Sequence, residues 1–80
     1  MLTKYVTFDL AADKNSYETL FSMLEELKAK KITESASTCR IEAKVKLDDL
    51  CKRLEEMTDQ GDHVFVLYGA HKGVEHRLVR

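Results

Sequence analysis

The hydrophobic period of this chain switches from two to about 3.6 residues and back, and then does so again. That alternation limits the folds open to it more than any single residue does. In residues 2–10 the side chains divide strictly. Leu2, Lys4, Val6, Phe8 and Leu10 point one way, and Thr3, Tyr5, Thr7 and Asp9 point the other. β-Branched and aromatic residues dominate, which marks a strand with one buried face. Lys4 interrupts the apolar side near the strand's start, where its side chain is expected to reach water.

From Tyr17 the period lengthens. Tyr17, Leu20, Phe21, Leu24 and Leu27 recur at helical spacing. Asn15 or Ser16 supplies a cap, and Glu18 falls in the first turn. The spacing predicts a helix over about residues 15–30, with Lys28, Lys30 and Lys31 complementing the dipole at its end. Residues 32–45 are rich in Thr, Ser, Ile and Val and read as one or two strands bent near Ser35–Ser37. Ile41, Ala43 and Val45 alternate with Arg40, Glu42 and Lys44, the pattern of a half-exposed strand.

A second helical stripe follows in Leu47, Leu50, Cys51, Leu54 and Met57, with Asp48 and Asp49 in the favourable first turn. Asp59, Gln60, Gly61 and Asp62 form a turn. His63–Gly69, HVFVLYG, is the most apolar strand and is expected to be central. Residues 69–73 can bend, and 74–79 alternate weakly, with Val74, His76, Leu78 and Arg80 on one face. A strand this short is expected to add to a sheet edge, its own or that of a second subunit. The order predicts one α+β domain over residues 1–80. It is ferredoxin-like, βαββαβ with a short extra C-terminal strand, and both helices cover one face of an antiparallel sheet.

Eighty residues bury a modest fraction of their surface, so help from a partner chain is expected. The helices leave the opposite sheet face partly apolar, and a symmetric homodimer is the simplest cover for it. With 44% hydrophobic and 34% charged residues, the chain reads as globular. No apolar run approaches the roughly 18 residues of a membrane span. The first ten residues lack the ordered parts of a signal peptide, so a cytoplasmic location and no membrane partner are expected. The formal net charge is -1, without the basic excess usual in nucleic-acid binders. Cys39 and Cys51 form no CxxC and are expected to be buried free thiols.

Asp9 is the first candidate for chemistry. A carboxylate at a strand end is held rigidly while the loop beyond it opens to solvent, a common position for a metal ligand. Two copies on a twofold axis can share one Mg²⁺, which is often held by few carboxylates and several waters. The plainer reading is a solvent-facing or helix-capping aspartate. Ser35 and Ser37 can position a phosphate or water, or simply form a turn. His63, His71 and His76 belong to no metal-binding motif. There is no Gly-rich phosphate loop and no local nucleophile–base signature.

The segment YVTFDL at 5–10 resembles the opening strand of the small CRISPR-associated adaptation protein, the second of the two core adaptation proteins. SYETLFSMLEELKAKKITESAST is similar to the SinR-like branch of that superfamily, where a Tyr-x-x-Leu helix leads to a Gly-Ala-x-x-hydrophobic-x-x-Ser segment. Residues 29–35 fit that segment, with Lys28 at the glycine position. LDDLCKRLEEMTDQGDHVFVLY resembles the second helix, acidic turn and core strand. The likeness covers about residues 5–68, and virulence-associated protein D ribonucleases are more distant relatives.

The resemblance implies a ferredoxin-like homodimer whose C-terminal strand can pair with the partner's sheet. It implies metal-dependent phosphodiester cleavage or a non-catalytic role supporting an integrase. It assigns the metal to Asp9 and a catalytic serine to Ser35. The chain departs from the pattern where Leu10, Ala11, Ala12 and Asp13 replace basic residues and where Ala36 replaces a bulky aromatic. Two readings follow. One is an Mg²⁺-dependent endonuclease acting on RNA or DNA. The other is a non-catalytic dimeric scaffold binding a partner protein or nucleic acid. A third, a small-ligand sensor, rests on the fold alone.

Overall fold

The computed structural model describes residues 3–12, 17–32, 38–70 and 73–80. Strand β1 spans Lys4–Asp9, helix α1 Glu18–Glu26, strand β2 Lys30–Lys31 and strand β3 Thr38–Ile41. Helix α2 spans Leu47–Glu56, strand β4 His63–Ala70 and strand β5 Gly73–Leu78. The strands lie in the order β2-β3-β1-β4-β5, and every neighbouring pair is antiparallel. The first four strands with their two helices make the expected ferredoxin-like unit. β5 extends the sheet at the β4 edge of its own chain, in register Phe65↔Leu78 through Ala70↔Gly73.

The core forms where the period-two side of the sheet meets the two helical stripes. Val6, Ile41, Leu50, Leu54, Val64 and Val66 are fully buried, joined by Phe8, Tyr17, Leu20, Met23, Leu24 and Cys39. Phe8 and Phe21 meet edge to face, with ring centroids 6.0 Å apart, the geometry their quadrupoles prefer. Phe21 and Cys51 pack at the margin of this cluster, partly buried. Both cysteines are free. Burial pushes both thiols up, and nearby Lys31 (at Cys39) and Arg77 (at Cys51) only partly counter it. That keeps them in the unreactive thiol form.

Helix α1 is shorter than its pattern predicts, because its end is set by the backbone and not by the lysines. Leu27 is the C-cap, and Lys28 adopts φ 56°. The Lys28 N–H donates to the Glu25 carbonyl and the Ala29 N–H to the Leu24 carbonyl, each at 2.9 Å. These two bonds close a Schellman motif. Lys30 and Lys31 therefore belong to β2, and no basic residue lies in the last turn of α1. The proposed caps Asn15 and Ser16 lie outside the described residues, and Tyr17 occupies the cap position, its side chain making no capping bond to the helix.

Two further expectations are corrected. The strand predicted to run to residue 45 ends at Ile41, although Ala43 and Val45 stay half-buried against the core. Lys4, expected to reach water, is buried at 8% exposure on the helix-covered face of β1.

Candidate functional site

Asp9 closes β1 and is exposed. Its cross-strand partner is His63, the first residue of β4, also exposed. The period of two places both on the sheet face that no helix covers. That face also carries Tyr5, Thr7, Phe65 and Leu67, all half-buried. Through the β4–β5 register it continues to Leu78 and Val74, exposed at 70% and 75%. Across from β1 lie Thr38 and Arg40. Thr7 and Thr38 hydroxyls meet at 3.4 Å, and Arg40 Nε lies 3.5 Å from a Glu42 carboxylate oxygen. A hollow of about 250 Å³ on this face is lined by Tyr5, Arg40, Glu42 and Val74.

The loops around Asp9 are held by a residue that sequence reading treated as a turn former. Asp62 is 1% exposed. Its Oδ1 accepts from the Tyr17 hydroxyl at 2.6 Å and the Ala11 N–H at 2.8 Å, and its Oδ2 accepts from the Asp59 N–H at 2.8 Å. Burial works to raise this carboxyl's pKa, but those three donors, with the Arg80 charge, outweigh it and hold the pKa below the ordinary value. The same bond, with burial, pushes the Tyr17 phenol up. The Tyr17 hydroxyl also accepts from the Ala12 N–H at 3.2 Å. One carboxylate thus joins the segment after β1, the start of α1 and the turn before β4. Gly61 completes the junction, since a Cβ there would come within 3.3 Å of Ala11 Cβ. The sequence signal for this hub was a turn aspartate followed directly by a core strand.

Ser35, Ser37 and His71 lie outside the described residues. His76 is exposed on β5, on the same open face as Asp9 but opposite Leu67, toward the middle of β4. The structure therefore brings Asp9 together with His63 and leaves His76 apart from them. Among the described residues no three His, Cys, Asp or Glu side chains of one chain form a metal-holding group. A single Asp9 carboxylate suits Mg²⁺, an ion that keeps most of its waters and takes one or two protein carboxylates. A second copy bringing its own Asp9 would supply the second carboxylate that this ion can take.

No helix among the described residues is long and apolar enough to cross a membrane. Compared with models of known protein families, with curated proteins and with solved structures, the chain finds no match.

Proposed function

We propose that this protein acts as a homodimer joined through the open sheet face, and that paired Asp9 carboxylates make it an Mg²⁺-dependent endonuclease on RNA or DNA. The observation that carries this reading is the placement of Asp9 beside His63 on the one sheet face left uncovered. Tyr5, Phe65, Leu67 and Leu78 give that face apolar surface for a second copy to cover, and a twofold axis passing beside Asp9 would set it against its own copy. Bound Mg²⁺ supplies a water of lowered pKa and charge stabilisation on the phosphate. Asp9 would hold and orient the ion, and the Asp62 hub fixes the backbone just after Asp9 and just before His63. His63, the cross-strand neighbour of Asp9, would be the side chain to pass a proton to the leaving oxygen.

A second reading, a non-catalytic dimeric scaffold that binds a partner protein or nucleic acid, is favoured by the charge layout. The turn before His63 carries Asp59 and Asp62, whereas Lys4, Lys44 and Lys46 gather at the opposite end of β1. A phosphodiester approaching Asp9 also approaches these carboxylates, with Arg80 beside them.

Light scattering at micromolar concentration is expected to give twice the chain mass. Wild type and Asp9→Asn are then assayed on labelled single-stranded RNA and duplex DNA, with Mg²⁺, Mn²⁺ or chelator. The nuclease reading expects metal-dependent cleavage that Asp9→Asn abolishes with the dimer intact. The scaffold reading expects no cleavage by either protein and unchanged assembly. Cleavage that survives Asp9→Asn would exclude this site.

A further inference from the structure

The two edges of the sheet are finished differently. At one edge β2 is two residues long, and its Lys30 and Lys31 are both exposed. Like charges there repel a second copy, a common protection of an edge strand. At the other edge β5 presents six residues, all exposed, and among the described residues no element lies beyond it. Its charges are mixed in sign. Val74, Glu75, His76, Arg77 and Leu78 run apolar, acidic, imidazole, basic, apolar. Reversed end to end, that string keeps its apolar ends and exchanges its two charges.

The end of the strand fixes which backbone groups face outward. The Val79 and Arg80 N–H groups both donate to the Val64 carbonyl, at 2.8 and 3.1 Å, and the Val64 N–H donates to the Arg80 carbonyl at 3.2 Å. Two residues oppose one, which is a β-bulge and ends the regular edge. An antiparallel ladder alternates inward and outward groups. Counted back from Val79, Arg77, Glu75 and Gly73 turn their N–H and C=O groups to β4, and Leu78, His76 and Val74 turn theirs outward. The side chains divide the same way. Glu75 and Arg77 lie on the helix-covered side, where Arg77 pairs with Asp48 of α2. Val74, His76 and Leu78 lie on the open face, beside Gly69, Leu67 and Phe65 of β4.

We propose that the β5 edge pairs with β5 of a second copy, antiparallel about a twofold axis at His76, joining two five-stranded sheets into one. In that register Val74 faces Leu78, Glu75 faces Arg77 and His76 faces its own copy. The outward groups of Val74, His76 and Leu78 then become the hydrogen-bonded pairs of the new ladder. Each Glu75 meets an Arg77 guanidinium, whose five donors can serve Asp48 as well. Glu75 now accepts only from the Tyr68 hydroxyl, at 3.3 Å. The two neighbouring twofold registers set Glu75 against Glu75 or Arg77 against Arg77, so charge selects the central one. The ion pairs are exposed and contribute little; the backbone ladder and the Val74–Leu78 contacts carry the association. It is therefore weak, and it leaves the open face free, so it does not depend on association through that face.

The test is a concentration series of the labelled full chain followed by amide NMR. The Val74, His76 and Leu78 amides are expected to shift saturably as the chain rises from roughly micromolar to roughly millimolar. Glu75→Arg and Arg77→Glu, both at exposed positions, should each weaken self-association about tenfold, because opposite charges become like ones. Labelled Glu75→Arg titrated with unlabelled Arg77→Glu should recover the wild-type shifts, since every facing pair is again opposite in sign. His76→Pro removes an outward N–H and spares the ladder to β4; it should abolish the shifts, His76→Ala should keep them, and this pair decides the matter if the charge variants do not fold. Edge amides that ignore concentration, charge variants that associate like wild type, or a mixture no tighter than its parts would overturn the proposal. So would edge amides that move only on adding an extended peptide of unrelated sequence. Shifts confined to Tyr5, Thr7, Phe65 and Leu67 would leave the open-face dimer standing and this edge contact refuted.

Discussion

The two faces of the sheet are made from the same strands, yet they are finished to different degrees. On the helix-covered face Val6, Ile41, Val64 and Val66 are fully buried within one chain. On the other, Tyr5, Thr7, Phe65 and Leu67 stay half-buried, while Val74 and Leu78 are mostly exposed. A strand that alternates polar and apolar residues solves only one face. Here the second face is neither cleanly polar nor covered. The covered face accounts for the fold, and the open one carries the argument for association.

The sharpest way to break that contrast is to delete equivalent apolar groups on its two sides. Leu54→Ala removes a fully buried side chain and should cost about 2–5 kcal/mol, seen as a lower urea midpoint. Leu78→Ala removes a side chain that is 70% exposed and should change the stability of a dilute monomer by no more than about 0.5 kcal/mol. At high protein concentration the second variant should fall further behind wild type, because association stabilises the folded chain by mass action. If Leu78→Ala matches wild type at every concentration, that part of the open face takes no part in assembly.

The next effect lies at the edge of the covered face. Asp62→Asn leaves the three donors of the hub facing an amide that cannot accept all of them. The expected cost is about 1–3 kcal/mol at neutral pH. The sign with pH follows from the lowered carboxyl pKa. An unfolded aspartate titrates near 3.9, and Asp62 in the folded chain titrates below that. Its stabilisation is complete above the unfolded value and drains away as pH falls through the folded one. The gap between wild type and Asp62→Asn should therefore close in acid. A gap that holds constant down to pH about 2 would show that the ionised carboxylate is not what the hub uses.

These results bear on how far the sequence could be read. The period-two and helical stripes at Val6, Phe8, Leu20, Leu24, Leu50 and Leu54 gave the element order and the core, because burial is a property of pattern. The hub at Asp62 was not legible. Its role depends on three donors from residues 11, 17 and 59 meeting in space, and a turn aspartate looks the same whether it faces water or not. Lys4 was misread for a related reason. Nothing local distinguishes a lysine at a strand's start that reaches solvent from one enclosed by the neighbouring ends of β3 and β4. Asp9 was legible as a strand-end carboxylate, while its pairing with His63 required the register.

Lys28 offers the smallest effect and the cleanest one. Its φ of 56° is the left-handed conformation that the Schellman motif requires at this position. A side chain there crowds the backbone, at a cost of roughly 1–2 kcal/mol that glycine avoids. The side chain is exposed, so removing it forfeits no packing. Glycine adds back some entropy cost in the unfolded chain, which offsets part of the relief. Lys28→Gly should therefore stabilise by about 0.5–1 kcal/mol, raising the melting temperature by a few degrees in a domain of this size. Lys28→Ala is the control, because it removes the charge and keeps the Cβ. It should leave stability near that of wild type, since alanine suffers the same crowding. If the two variants stabilise equally, the gain comes from losing a cation near Lys30 and Lys31, not from relieving the backbone. If neither does, the left-handed turn at the end of α1 costs less than the steric argument requires.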